Sequence, residues 1–265
     1  MRQLTDRLAV VTTLLLLSSP ALAGWYQVSN YTGHIGRQAA HLSLQYYHFG
    51  AGITVEGSYY YDHYHTPIAL YGTRDPHGHL TLCEIHSHTE FSRVIETGLQ
   101  NPIDTSHCPL QLQLGPRHAD GRWHDGKHDL AVSLTRVGQL DNTGPPRLTG
   151  KVAIPFWGQT DHYSFIGRYR QQQGTLALQR LRVVNKASGK VIQELNPNGH
   201  DCGFGFYMTP IYMNVASGHN HDQEEVDLHC DSRRGDRIAA YTLDRSSQTF
   251  VFNPDLSMGL AERTP

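Results

Sequence analysis

Histidine is unusually frequent in this sequence, with 18 residues in a chain of 265. Four pairs of histidines are separated by a single residue: His63 and His65, His77 and His79, His86 and His88, and His219 and His221. Because residues i and i+2 of a β-strand face the same way, such a pair could give two imidazole ligands to one zinc or copper ion. No third ligand follows at a defined spacing. Solvent-facing histidines that bind no metal are therefore the alternative.

The segment 217–227, with the sequence SGHNHDQEEVD, collects oxygen-bearing side chains of the type that calcium prefers. The candidate calcium ligands are Asn220, Asp222, Glu224 and Asp227. The segment lacks the first-position aspartate and the central glycine of the common calcium-binding loop. A solvated acidic loop is therefore the alternative.

No catalytic centre is predicted. The sequence contains no G-x-S-x-G motif, and its four cysteines fall into two pairs. Glu84 and Glu90 could form the carboxylate pair of a glycosidase, but nothing in their spacing distinguishes them from the other acidic residues. A binding protein is favoured over a glycan-active enzyme.

The first 23 residues have the pattern of an export signal. Arg2 and Arg7 precede the apolar run 8–17, and Ala21-Leu22-Ala23 is a small-x-small cleavage pattern. The apolar run is shorter than the roughly 20 residues that a transmembrane helix needs. We therefore expect cleavage after Ala23, a periplasmic mature protein and no membrane span.

The cysteines of an exported protein are expected to form disulfides. The predicted bonds are Cys83–Cys108 and Cys202–Cys230, and each closes a loop of about 25–30 residues, worth about 3 kcal/mol in the loop-entropy model. The net charge is −2, which argues against nucleic acid as a partner.

The mature chain is predicted to be all-β. Its clearest element is a hairpin over residues 175–196, where two apolar strands flank the polar turn 186–190 and Gly189 can adopt a positive φ. One amphipathic helix is the alternative, but Ser188 and Gly189 interrupt it. Short strands with Gly, Asn and Asp turns recur through the rest of the chain.

Two antiparallel β domains are predicted, each a meander or barrel-like sandwich. The segment GQLDNTGPPR has no apolar period and ends in Gly-Pro-Pro, which is typical of a connection between domains. The predicted organisation is a signal peptide at 1–23, an N-terminal β domain at 24–137, a linker at 138–147, a C-terminal β domain at 148–258 and a tail at 259–265.

Several segments resemble periplasmic immunity proteins related to the invertebrate-type (PliI-like) lysozyme inhibitors. They are the hairpin 181–196 (LRVVNKASGKVIQELN), the strand and acidic loop 211–227, the closing segments at 240–241 and 249–250, and in the first half the G-S-Y-x-Y meander with its terminal G-x-W. The resemblance implies an eight-stranded antiparallel β fold whose protruding loop enters a lysozyme-like active site. Some members hold calcium in an acidic N-F-D-G-type loop, where this chain reads N-H-D-Q at 220–223.

An inhibitor of this kind needs a rigid scaffold and a loop whose groups satisfy the catalytic carboxylates of the target. Two loops qualify, and the candidate binding residues are Trp157, Asp161, His162 and Tyr163 in the first and Ser217, His219 and His221 in the second. Core packing is the alternative for the two aromatic residues, and simple solvent exposure is the alternative for His219 and His221.

These observations predict a periplasmic inhibitor or immunity protein that blocks a peptidoglycan-lytic effector or a lysozyme and needs no cofactor. The alternative function is a periplasmic zinc- or copper-binding protein that uses the closely spaced histidine pairs.

Overall fold

A computed structural model describes residues 26–48, 50–141, 143–145, 147–172, 175–197, 210–220, 223–230 and 237–259. The predicted signal peptide and all but the first residue of the predicted tail lie outside these ranges. The predicted all-β fold is confirmed, with all sheets antiparallel. Within the described ranges, no helix is long and apolar enough to cross a membrane.

The first half is an eight-stranded antiparallel barrel. Neighbouring strands pair in chain order, and β1 also pairs with β8, which closes the sheet. The strands are β1 (Tyr26–Ile35), β2 (Gln38–Tyr47), β3 (Val55–Tyr61), β4 (Ile68–Arg74), β5 (His79–Glu84), β6 (Leu110–Leu114), β7 (His118–His124) and β8 (Asp129–Asp141).

Alternate residues of these strands fill the barrel, as the period of two requires. Leu42, Leu82 and Leu112 belong to this interior core, and all are buried. The outward residues of β6 and β8 are mostly exposed, whereas β2 is buried on both faces from Leu42 onward. The β2 side of the barrel wall is therefore covered by other structure.

An α-helix, α1 (His88–Thr97), lies in the long connection between β5 and β6. Ser87 caps its N-terminus by accepting a hydrogen bond from the backbone N–H of Glu90 at 3.1 Å. Val94 of the helix packs in a small cluster that includes the predicted Cys83–Cys108 disulfide. Cys230 is also disulfide-bonded, and its predicted partner, Cys202, lies outside the described residues.

The predicted linker 138–147 is part of a β-hairpin instead. Residues up to Asp141 continue β8, which pairs with the short strand β9 (Arg147–Gly150). Gly138 lies in β8 and pairs with Gly150, and Gly144 and Pro145 lie between the two paired strands. A local pattern of turn residues does not reveal that the flanking residues pair with each other.

The second half is a sandwich of two four-stranded sheets, one with β10 to β13 and the other with β14 to β17. The strands are β10 (Ala153–Gln159), β11 (Tyr163–Gln172), β12 (Thr175–Asn185), β13 (Lys190–Leu195), β14 (Val215–Asn220), β15 (Gln223–Cys230), β16 (Arg237–Asp244) and β17 (Thr249–Phe252). The predicted hairpin is confirmed: Asn185 pairs with Lys190, and Gly189 has φ +65°.

One core joins the two sheets, with Phe156, Phe165 and Val183 on one side and Val226 and Phe250 on the other. The sheets also meet at one edge, where the Gln193 amide donates to the Phe250 carbonyl at 2.8 Å and accepts from its N–H at 2.8 Å. A single side chain thereby replaces the missing strand-to-strand pairing at this edge.

The sandwich covers the β2–β3 side of the barrel wall. Trp157 donates its indole N–H to the Gly57 carbonyl at 2.7 Å, and Gln45 accepts from the backbone N–H of Ile211 at 2.7 Å. Ser43 lies 3.0 Å from the Tyr212 hydroxyl. Polar groups that would otherwise face water are buried and paired across this interface.

Candidate binding surface at the end of the sandwich

Hairpin turns gather at one end of the sandwich. The β10–β11 turn (160–162) lies against the β12–β13 turn (186–189), because the Lys186 N–H donates to the His162 carbonyl at 2.9 Å. The β16–β17 turn (245–248) is joined to it by the Tyr163 hydroxyl, which donates to Gln248 at 3.3 Å. The β14–β15 hairpin also ends here, although its connecting residues, 221–222, lie outside the described ranges. We call this surface the four-turn end.

The structure brings the two predicted binding segments together near the four-turn end, but Ser217 and His219 of the second segment lie on strand β14 and not in a loop. Ser217 of β14 donates its hydroxyl to the Gln159 carbonyl at 2.7 Å. His162 Nδ1 lies 2.5 Å from a carboxylate oxygen of Glu224 in β15. The His162 side chain is 70% exposed, whereas that of Glu224 is only 10% exposed. Glu224 therefore fixes an imidazole that faces solvent.

Lys186 adds a cation beside this pair. Its ammonium group donates to the Thr160 carbonyl at 2.6 Å. Burial lowers the pKa of Lys186, while the negative charges of Asp161 and Glu224 act in the opposite direction. Asp161 is exposed at the tip of the turn. The four-turn end thus presents charges of both signs on short, mutually bonded turns.

The two aromatic residues predicted as interface anchors are core residues instead. Trp157 is 8% exposed and stacks on Tyr212, with ring centroids 5.9 Å apart. Tyr163 is 4% exposed and meets the ring of Phe250 edge-on at 5.4 Å. Neither ring can reach a partner protein in this conformation. Their burial depends on residues from distant parts of the chain, so the local sequence could not distinguish it from exposure.

The two predicted calcium ligands whose side chains the structure describes, Glu224 and Asp227, do not converge. Asn220 ends β14, Asp222 lies outside the described residues, and Glu224 and Asp227 are three residues apart on β15. Because side chains alternate along a strand, those two carboxylates face opposite sides of the sheet. Burial and the neighbouring charge of Glu225 raise the pKa of Asp227 to about 6.

Single members of three of the histidine pairs have other contacts, and the rings of His77 and His79 lie 6.5 Å apart. His65 stacks on Tyr60 at 5.1 Å, and burial lowers its pKa. His79 lies 2.7 Å from Asp75, and His86 lies 3.2 Å from Glu84. The side chain of His219 and all of His221 lie outside what the structure describes. Among the described residues, no group of three or more His, Cys, Asp or Glu side chains could hold a metal ion, so metal binding stays a prediction.

Sequence reasoning missed a second candidate region. Glu84 and Glu90 both line a cleft of about 1190 Å³ beside the barrel mouth. Helix α1, which carries Glu90, was not predicted, although Ser87-His88-Thr89-Glu90 is the S-x-x-E pattern of a helix N-terminus. That signal could have placed the two carboxylates on neighbouring elements.

Comparison with known proteins found no matching family model, no similar curated protein and no similar solved structure. The resemblance to invertebrate-type lysozyme inhibitors therefore stays a prediction.

Proposed function

We propose that this chain is an exported inhibitor or immunity protein that binds and blocks a peptidoglycan-degrading, lysozyme-like enzyme. The leader would be removed after Ala23, and the mature protein would protect the periplasm of its own cell. The observation that carries this proposal is the adjacency of the two predicted binding segments near the four-turn end, where Asp161 and His162 are exposed.

The four-turn end has the rigidity that an inhibitor needs. Each of the three described turns joins two paired strands, and these turns bond to one another through Lys186, His162 and Tyr163. A surface that is ordered before binding loses little conformational entropy when a partner docks. Short turns on a sandwich can therefore enter a cleft without first having to fold.

The chemistry of the four-turn end suits an acidic active site. Lysozyme-like enzymes act with a pair of carboxyl groups. Glu224 holds Nδ1 of His162, so protonation of the ring adds an Nε2–H donor that can meet a carboxylate of the target. The Lys186 ammonium lies within the same group of turns. The proposed contact is thus a charge-assisted hydrogen bond made by His162.

The proposal is tested with the mature protein against a panel of lysozymes, including the invertebrate type, and of other peptidoglycan hydrolases. Activity is measured as clearing of purified peptidoglycan, and bound enzymes are identified after capture on the immobilised protein. We expect inhibition of at least one hydrolase. The double variant Asp161→Ala/His162→Ala should weaken that inhibition at least tenfold.

The matched control is His34→Ala/Arg37→Ala, which removes an exposed histidine and an exposed charge from the barrel. This variant should inhibit as the natural sequence does. Failure to inhibit or capture any hydrolase would overturn the proposal. Equal inhibition by both double variants would place the contact away from the four-turn end and would overturn the proposed surface.

A further inference from the structure

The cleft of about 1190 Å³ lies beside one mouth of the barrel. Its walls come from the long β5–β6 connection, which contains α1, and from the ends of β7 and β8. Small-molecule sites commonly occupy such positions, where loops rise above a rigid barrel. The proposed inhibitor function does not use this cleft.

The barrel side of the cleft holds a carboxylate and an aromatic ring in fixed positions. Glu84 is 7% exposed and accepts hydrogen bonds from the Tyr59 hydroxyl and the Trp123 indole N–H, both at 2.6 Å. His86 Nε2 lies 3.2 Å from its second oxygen. Glu84 holds the indole N–H of Trp123. The half-buried Trp123 ring therefore has a defined orientation where it lines the cleft.

The helix side of the cleft continues the same network. Glu90 accepts from the Tyr71 hydroxyl at 3.1 Å and from the backbone N–H of His86 at 3.1 Å. Arg93 donates to the Tyr71 hydroxyl at 2.6 Å. His86 thus contacts both carboxylates, Glu84 with its ring and Glu90 with its backbone N–H. The planar polar groups are held by one another before any ligand arrives, which lowers the entropic cost of binding.

Two of the five acidic side chains that line the cleft are paired with arginines: Arg122 lies 2.8 Å from Asp129, and Arg93 lies 4.0 Å from Glu90. The other three leave the lining acidic, so a multivalent cation is the competing ligand, although at Glu90 and Asp129 it would have to compete with these arginines. A neutral ligand with many hydroxyl groups would not, because a paired carboxylate keeps unused lone pairs and a paired guanidinium keeps unused N–H donors.

We propose that this cleft binds a saccharide. The apolar C–H face of a sugar ring would pack on the Trp123 indole, and the sugar hydroxyls would donate to Glu90 and Asp129 and accept from Arg93 and Arg122. The aromatic ring meets the apolar face of such a ligand. The planar side chains around the ring meet its hydroxyl groups with paired hydrogen bonds. The inference goes beyond the proposed inhibitor function and does not depend on it.

The test measures binding of the full mature protein to an array of neutral, amino and acidic oligosaccharides, followed by calorimetric titration of the best one. Spermidine is titrated in parallel as the cationic competitor. We expect saturable saccharide binding and weakening of at least tenfold in Trp123→Ala. Arg122→Ala should also weaken saccharide binding. The Arg122 side chain is 72% exposed, so its removal should leave the fold intact.

The matched control is Arg147→Ala, an exposed arginine of β9 that does not line the cleft. This variant should bind the saccharide as the natural sequence does. The proposal is overturned by the absence of any saccharide binding, by binding of spermidine alone, or by saccharide binding that Arg122→Ala leaves unchanged. The hydrolase assay has a separate readout, so the two proposals can fail independently.

Discussion

At the scale of single residues, the most unusual group is Glu56, a carboxyl buried in the interface between the barrel wall and the sandwich. It is 4% exposed and accepts a hydrogen bond from the Tyr47 hydroxyl. Burial raises its pKa from 4.5 to about 7, and the bond from Tyr47 offsets this only in part. The folded protein therefore binds a proton at Glu56 more tightly than the unfolded chain does.

Glu56 should make the protein less stable as the pH rises. Because the folded-state pKa is raised, its stabilising contribution is present below about pH 4.5 and is lost as pH rises to about 7. Glu56→Gln should remove this loss and raise the free energy of unfolding at pH 8 by about 3 kcal/mol. Urea unfolding between pH 4.5 and pH 8 measures the effect. The exposed Glu96→Gln is the control, and an unchanged pH slope in Glu56→Gln would contradict the assignment.

His162 can be tested on its own with a substitution that keeps a polar side chain. His162→Gln removes the imidazole whose Nδ1 contacts Glu224 and whose other nitrogen is offered to the target in the proposed contact. We expect this variant to weaken inhibition at least tenfold, measured as the inhibition constant against the same hydrolase. An inhibition constant equal to that of the natural sequence would exclude His162 as the contact.

At the scale of elements, the β12–β13 turn has two tasks. It ends a hairpin of the sandwich, and Gly189 of the turn packs against the barrel connection between β3 and β4. A Cβ added at Gly189 would lie 2.5 Å from the His63 carbonyl oxygen. The turn therefore requires glycine both for its φ of +65° and for this close approach.

Gly189→Ala should destabilise the protein by more than the backbone strain alone. Gly126 provides the comparison, since it has φ +88° but no atom within 4 Å of an added Cβ. We expect Gly126→Ala to cost about 1 kcal/mol and Gly189→Ala clearly more, because the second must also displace the His63 backbone. Urea unfolding measures the loss of unfolding free energy in each of the two variants. Equal losses would mean that the turn moves away from the barrel at little cost.

Elements with a strong local signal could be predicted from the sequence, and contacts between distant segments could not. The 175–196 hairpin was predicted because period-two apolar residues flank a glycine turn. Helix α1 was missed because only Val94 is buried along its ten residues, so it lacks a long apolar stripe. The segment predicted as a linker is part of the β8–β9 hairpin. The pairing of these two strands depends on their register, which turn residues do not encode.

The same limit applies to the candidate site. Asp161 and His162 were predicted as binding residues from a polar turn, and they are exposed. Trp157 was assigned to the same surface, but its indole partner is Gly57, 100 residues earlier in the chain. The approach of Ser217 to Gln159 also joins two segments that have no common local pattern.

At the scale of the whole molecule, barrel and sandwich are joined by a buried interface. Besides the Trp157 contact, Ser164 donates to the His65 carbonyl at 2.8 Å, and Tyr60 packs with Ile166 and Val184. Hydrogen bonds and apolar contacts thus both cross this interface. Separating the halves would expose both sides of this interface to water.

The two halves should therefore unfold together. Calorimetry of the mature protein should give one transition. Trp157→Ala should lower the midpoint temperature of that transition, because removal of a large buried ring costs about 3–5 kcal/mol of unfolding free energy. Trp157→Phe keeps most of the ring and should lose less. Two resolved transitions, with only one of them shifted in Trp157→Ala, would mean that barrel and sandwich are energetically independent.

The position of α1 has a consequence for the spacing of the two proposed sites. Its Glu90 and Arg93 line the cleft, while Phe91, between them, meets the Trp157 ring at 5.8 Å at the base of the sandwich. The 62–67 connection joins the barrel mouth to the four-turn end in a similar way. If the cleft binds a saccharide and the four-turn end binds a hydrolase, these two connections would hold the two ligands at a constant separation. Tethering of this kind raises the local concentration of one ligand near the other without any change in shape.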